Sequence, residues 1–544
     1  MEIKNSLLVK KLFTYALGLC AIFEFIIIQY FNIFEAKEHL GIDSSWEYLK
    51  AIVLTKEGGI FPTNVLSEST SPGTDKICTI ISPLNRIIDN VWISFGIGTM
   101  IITIITIIVL WALMENLKLD IMPKLIVINL FLCPYLANGF DRFNDLGYFS
   151  CSNGIPSYEN TIILLMFLSI LIISYNDINP KRVILIAVVI LLYLFKGLTS
   201  GVSVVMFCGT PAVLYILAKV FLNNNIKEFI SWKSLFLLLV NAAIIIGRFI
   251  GGFLGYSYGE SAINWTTAPE LFENFQHEFL GYMLLMGAVP GTGAYRSPFS
   301  FYGMGYIFGL IIFVVMVISV IYSFIKFIKN QMWKSSENDV WLLGFSTIAI
   351  VSLEFALLKT NAAQDIFETR YLITALLFGF IFIGLYIQQL DDMLLFKHFG
   401  VVVLALAIVG MNLFSDYIMA VTDNKSFHVD EVQEIIGQTD AGLVYFWENG
   451  KDTLPTYEVI RVTDIDRVYK SVNDNVLQTY GQYKYYDDST EYVGPTVLVI
   501  EEDDPAPSNE ILARYNQIGV VNNMGIYYCK DNPIDLKKIS TNKF

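Results

Sequence analysis

The chain has 544 residues, of which 54% are hydrophobic and only 16% charged, with a mean hydropathy of +0.54. A soluble protein of that size is excluded, and a polytopic α-helical membrane protein is implied. The net charge of −14 is concentrated near the end, since 22 acidic against 11 basic residues from Asp416 onward leave −11 there; an acidic tail of this kind has no electrostatic reason to bind nucleic acid.

A span needs about 20 predominantly apolar residues, and roughly eleven segments qualify or come close, some short enough to be half helices. They run from Leu12 to Ile33, Val91 to Met114, Leu125 to Phe140, Thr161 to Tyr175, Val183 to Phe195, Val202 to Leu222, Leu235 to Leu254, Gly305 to Ile325, Val340 to Leu358, Tyr371 to Ile387 and Phe399 to Phe414. The first is long, contains Glu24 and has no persuasive small-residue cleavage site, so it stays as an anchor. With the N-terminus in the cytoplasm, Lys10, Lys11, Lys118, Lys124, Lys181, Arg182, Lys227, Lys233, Lys326, Lys329, Lys334 and Lys397 all fall on the inner side. An odd number of spans then puts the first loop and the C-terminal region outside. The chain thus reads as a membrane domain, 1–415, with a first outer loop over 34–90, followed by an extracytoplasmic α/β domain, 416–544.

In the first loop, Asp43 stands where the chain leaves the lipid. A short helix follows, with Ser44 and Glu47 spaced as an S-x-x-E box and Gly58 placed to end it. Trp46, Leu49, Ile52 and Val53 share one face of that helix, which suits the membrane interface. The remainder of the loop, around Ser67 to Thr74, reads as irregular. An acid at the start of a helix is favoured by the dipole; the same carboxylate at the rim of a cavity is placed to take a proton from an attacking hydroxyl. Both roles are compatible.

Glu24 inside the first span is a functional candidate by its cost, or a structural partner of Arg248 or a polar neighbour. In the second outer loop, Asp141 and Asp145 flank Arg142 and suit either a divalent cation such as Mg or Mn, an acceptor, or plain solvation. Lys196, Arg248, Lys359 and Arg370 lie at the outer ends of spans, where each could grip a lipid phosphate, snorkel to headgroups or, for Arg370, pair with Glu368. Between Tyr256 and Met304 a larger outer loop contains an apolar stretch, Phe279 to Val289, too short to cross and readable as interfacial or re-entrant. Cys78 and Cys151 fall in different outer loops and could be bridged in an oxidising compartment. The six cysteines show no zinc spacing, and no cofactor is demanded.

After Phe414 the pattern changes to short β-rich runs, at Leu443 to Trp447, Tyr457 to Val462, Thr496 to Ile500 and Ile526 to Cys529, with helical stretches at Val429 to Ile436 and Asn509 to Gln517. About 125 residues are enough for a separate core.

A first span followed by an outer loop with Asp43, then Trp46-Glu47-Tyr48, a helix and Gly58-Gly59-Ile60-Phe61-Pro62, together with Glu368-Thr369-Arg370-Tyr371 entering a late span, resembles the GT-C superfamily of integral-membrane glycosyltransferases, in particular its bacterial family-39-like members. The tail is similar to the small terminal domains of those members. The chain departs from the oligosaccharyltransferase branch in having no Trp-Trp-Asp-Tyr-Gly, and carries Asp43-Ser44 where O-mannosyltransferases carry Asp-Glu.

The resemblance implies transfer of a single sugar from a polyprenyl-phosphate carrier to a cell-envelope glycan, lipid or protein on the outer face, usually with inversion. It implies Asp43 as general base and Arg370, Arg248, Lys359 and Lys196 on the donor phosphate. Asp141 or Asp145 would meet the acceptor or a metal, with Glu368, Tyr371 and Trp46 in support. A bacterial plasma membrane is the expected location. The rival readings are a polymerase or ligase of envelope polysaccharide, which would not require Asp43, and a flippase or transporter, which would move lipid-linked glycan unchanged.

Overall fold

The computed structural model of the protein describes residues 2–35, 42–57, 78–88, 90–136, 147–154, 159–200, 204–254, 264–290, 297–359, 369–390, 396–421, 428–447, 450, 453–464, 466–473, 476–478, 492–502, 507–534 and 540–541. They form two compact bodies, one from Met1–Tyr30 with Thr99–Thr422, the other from Phe31–Gly98 with Asp423–Phe544. In chain order the helices before the tail are α1 (Glu2–Phe34), α2 (Ile42–Glu57), α3 (Cys78–Ile88), α4 (Val91–Asn116), α5 (Ile121–Leu132), α6 (Tyr148–Ser152), α7 (Glu159–Ser174), α8 (Pro180–Ser200), α9 (Thr210–Asn223), α10 (Trp232–Phe253), α11 (Ala268–Leu285), α12 (Phe301–Lys329), α13 (Asp339–Leu357), α14 (Ile373–Gln389) and α15 (Phe396–Val421). A minimal ribbon joins β1 (Asn264–Trp265) to β2 (Leu358–Lys359).

Among the described residues, eight helices are long and apolar enough to cross a membrane, and three shorter apolar ones, within α5, α7 and α14, complete the eleven segments that the sequence marks out. At 1.5 Å per residue, the 12 residues of α5 span only about 18 Å. The expected continuation of α5 to Phe140 fails at Pro134. Cys133 leaves helical geometry with ψ 125°, as a residue before proline tends to, and Tyr135 adopts φ 55°. The 17-residue α14 is buried along nearly its whole length and forms the centre of the first body. Outer helices such as α1 and α10 instead expose Leu12, Leu19, Ile22, Leu239, Ile246 and Phe249, as lipid-facing surfaces do.

Two glycines let α8 and α10 meet backbone to backbone. A Cβ on Gly197 would lie 2.3 Å from the carbonyl oxygen of Ile244, and one on Gly247 2.1 Å from that of Leu194, so any side chain would force the helices apart. At the opposite end of this body, segments that the Lys and Arg bias puts on one side are tied together. The Asp120 amide donates to Gln388 at 3.0 Å, Lys326 to Gln389 at 2.9 Å, and buried Asp339 takes both Lys219 and, at 2.7 Å, Lys233.

The second body holds α2, α3 and the C-terminal domain. Its tail elements are α16 (Val429–Gly437), β3 (Leu443–Trp447), α17 (Thr453–Thr463), β4 (Val468–Asn473), β5 (Val476–Gln478), β6 (Thr496–Glu501), α18 (Asn509–Leu512), β7 (Asn516–Val521), β8 (Met524–Cys529) and β9 (Ser540–Thr541). The sheet order is β7-β8-β6-β3-β4-β5-β9, with β3 parallel to both β4 and β6. Both β3 and β6 are buried at every residue, which explains their unbroken apolar runs.

Two expectations for the tail are overturned. Tyr457 to Val462 is helical, inside α17, because two adjacent parallel strands, β3 and β4, need a crossover, and a β-branched run becomes helix when it supplies one. The helix from Asn509 stops at Leu512, and residues Asn516–Val521 form a strand, because a two-residue Asn522-Asn523 turn, with Asn522 at φ 52°, folds β7 onto β8.

The first loop also departs from expectation. α2 begins at Ile42, so Ser44 lies inside the helix and is not its cap; Glu57, just before Gly58, is its last residue. Leu49 and Val53 are fully buried, because α2 packs on α3 and α17, so this face does not lie in the interface. The expected irregular stretch includes α3, which carries Pro83 within it. Ser67 to Thr74 lie outside the described residues, as do the side chains of Cys78 and Cys151.

Candidate functional site

Among the described residues of the first body, a buried lysine lies near the end of α8. Lys196 is 2% exposed, and its ammonium donates to Thr161 Oγ1 at 3.2 Å. α8 is followed by a π-helical turn, Val205–Gly209, that leads into α9. Pro211 has no N–H to offer the carbonyl of Phe207, and the chain enters the helix through one wide turn. The ring of Phe207 in that turn stacks on Tyr371 at 5.7 Å and 24°. Tyr371 belongs to the 3-10 turn Thr369–Leu372, which also carries Arg370 and packs against α11, α13 and α14.

The start of α11 is fixed to the end of α13. Thr267 and Glu270 form a capping box, the Thr266 amide donates to the Leu357 carbonyl at 2.9 Å, and Asn274 Nδ2 donates to the Ala356 carbonyl at 3.0 Å. β2 then pairs Lys359 with Asn264. α11 is not among the candidate spans, and it exposes Phe272, Phe275 and Phe279 at the spacing of one face, as an interfacial helix does. The expected apolar stretch from Phe279 is thus the second half of a longer helix. Two further acids join this end. Glu354 of α13 bonds Thr210, and Glu278 of α11 bonds Ser352 while its Oε2 has no partner. Burial pushes the Glu278 carboxyl above its ordinary range.

Of the residues singled out in the sequence, Lys196, Lys359, Arg370 and Tyr371 are therefore brought to one end of one body. Arg248 sits in the last turns of α10, at the same end but on its exposed side. Asp43 occupies the first turn of α2 in the second body. The side chains of Asp43, Trp46, Lys359 and Arg370 are outside the described set, and Asp141, Asp145 and Glu368 are outside the described residues altogether. Among the described residues, no three His, Cys, Asp or Glu side chains come together as metal ligands.

Glu24 does not pair with Arg248. It is fully buried and interacts with Asp416 of α15, and the carboxyl oxygens of both acids are buried without a hydrogen-bond partner. One turn earlier on each helix, Asn412 Nδ2 donates to Cys20 Sγ at 3.3 Å. Glu278, Glu354 and Asp416 were not singled out, although acids inside apolar runs such as Val351-Ser352-Leu353-Glu354 and Phe414-Ser415-Asp416-Tyr417 are the same signal that marked Glu24.

No protein-family model matches the chain, and no curated protein does. Among solved structures, the crystal structure of ArnT from Cupriavidus metallidurans bound to undecaprenyl phosphate superimposes with a TM-score of 0.52 at 10% identity, covering 95% of this chain and 97% of that one. The apo structure of ArnT from the same organism gives 0.43 at 10% identity, over 97% and 98% of the two chains. The chain therefore has an ArnT-like fold.

Proposed function

We propose that the protein is a membrane glycosyltransferase that moves one sugar from a polyprenyl-phosphate donor to a cell-envelope acceptor on the outer face of a bacterial plasma membrane, with its N-terminus in the cytoplasm and its C-terminal domain outside. The observation that carries the reading is the fold, shared over 95% of the chain with a protein whose crystal structure holds undecaprenyl phosphate. The gathering of Lys196, Lys359 and Arg370 at one end of the membrane body supports a phosphate site there.

In the reaction, the acceptor hydroxyl attacks the anomeric carbon, its oxygen forms the new glycosidic bond, and its proton passes to Asp43. The bond from the anomeric carbon to the phosphate oxygen breaks, and the electron pair leaves with polyprenyl phosphate. Charge that develops on that phosphate is met by Arg370, Lys359 and Lys196, with Arg248 at the lipid-facing surface. Attack opposite the leaving phosphate inverts the sugar. If a divalent cation takes part, Asp141 and Asp145 are the acids to hold it.

The test is incubation of purified protein with a panel of polyprenyl-phosphate sugars, reading release of the free carrier phosphate. Asp43→Asn lowers the rate by about 10²–10⁴-fold, the ordinary worth of a general base, with normal expression and insertion. Activity within a few-fold of wild type would remove Asp43 from that role.

A further inference from the structure

α17 is buried on more sides than a sheet alone can cover. Thr453, Thr456, Tyr457, Val459, Ile460 and Arg461 are all at most 4% exposed, whereas a helix on one face of a sheet ordinarily keeps a polar side in water. One face lies on β3, where the rings of Phe446 and Tyr457 approach to 5.5 Å. The helix also packs against α16 and against α2 of the first loop.

The contact is as complete when seen from α2. Leu49, Lys50, Ala51 and Val53 are 0% exposed and Leu54 is 1% exposed, a buried surface too broad for the neighbouring α3 to cover as a single-sided partner. The C-terminal half of α2 is also pinned by polar contacts. Arg86 Nη2 donates to the Leu54 carbonyl at 3.1 Å, Asn85 Nδ2 to Thr55 Oγ1 at 3.4 Å, and Lys56 Nζ lies 3.7 Å from Asp466, just beyond α17.

Asp43 is in the first turn of this same helix. From Lys56 back to Asp43 the helix runs about 20 Å, and a rod of that length moves its far end by about 1.7 Å for each 5° of tilt. A displacement of about 1 Å is enough to cost a reacting geometry roughly 10²-fold.

We infer that the C-terminal domain is the seat of α2, and that α17 with the Lys56–Asp466 contact sets the position of Asp43 without touching substrate. The inference rests on Asp43 acting as the base. It gives the tail a role in catalytic geometry, and Lys56, Asp466 and Leu54 are positioning residues.

The test uses the full-length protein and three readouts: kcat, donor KM, and hydrogen exchange of the α2 amides. Lys56→Glu places two like charges together; it lowers kcat about ten-fold with donor KM within about two-fold, and it speeds exchange in α2. The reciprocal pair Lys56→Glu with Asp466→Lys restores both. Leu54→Ala lowers kcat further, about 10²-fold, with faster exchange in α2 and unchanged exchange in α12 and α14. The inference is overturned if kcat holds while α2 loosens, if α2 exchange does not respond, or if donor KM moves in place of kcat. An inactive Asp43→Asn beside fully active Lys56 variants defeats the seat alone. An active Asp43→Asn with unaltered α2 exchange defeats the base reading first.

Discussion

Replacing Lys196 with methionine removes one charge and keeps the length of the side chain. Lys196 is 2% exposed, donates to Thr161 at 3.2 Å, and lies on the helix that leads to the turn stacked on Tyr371. Burying an ammonium costs several kcal/mol, so a chain that keeps one at the end of a span has a use for it. A hydrogen bond from a charged group contributes about 1.5–3 kcal/mol. If its acceptor is the carrier phosphate, Lys196→Met weakens binding of polyprenyl phosphate by about 10- to 150-fold. Equilibrium binding of polyprenyl phosphate to purified protein measures that loss, and thermal unfolding of the same samples supplies the control. A purely structural lysine would behave differently: methionine in its place would leave carrier affinity within about two-fold and Tm unchanged or higher. That pair of results would refute the assignment.

If the Arg370 fork holds the donor phosphate, Arg370→Ala raises donor KM by about ten-fold or more, and an unchanged KM removes it from the phosphate site. Asp339→Asn leaves Lys219 and Lys233, whose side chains are only 7% and 4% exposed, without their shared counter-charge. The expected cost is about 3–5 kcal/mol, read as a lower Tm, and a Tm within a degree or two would show that the cluster carries little stability. Glu278 has its folded value raised by burial above the ordinary 4.5. Its contribution is fully present below that value and is lost as pH rises through the folded one. Glu278→Gln, which can keep the bond to Ser352, therefore raises Tm at pH 8, and the advantage closes as pH falls toward 4; a pH-independent difference would contradict the linkage.

The eleven apolar segments were legible because lipid permits few solutions, and hydropathy reports them directly. Their ends were less so. Pro134 ended α5 where the apolar run continued, a local steric rule stronger than composition. In the tail, Leu443–Trp447 and Thr496–Ile500 were legible as β-rich runs and are strands, but Tyr457–Val462 has the same β-branched character and is helical, because strand pairing decided its state and pairing is not written in a six-residue window. Lys196, Lys359 and Arg370 each stand near a span terminus in the sequence, and the fold brings those termini to one end of the membrane body. The partner of Glu24 could not, since Asp416 lies 392 residues further on and only the packing of α1 with α15 joins them. The burial of α2 was hidden for the same reason: its amphipathic face suits a lipid interface or a protein neighbour equally well.

The pairing of Glu24 with Asp416 has a consequence for how the chain is made. The first helix enters the bilayer carrying an acid whose counterpart is still untranslated, and elongation at about 5–20 residues per second keeps it waiting for roughly 20–80 seconds. An acid in mid-span adds a few kcal/mol to insertion, and α1 meets that cost with the apolar length of its 24-residue span. Closure of the bundle at this seam is therefore expected late, when the ribosome has delivered the last membrane helix, and a chain truncated before α15 should remain open there and be recognised by membrane quality control.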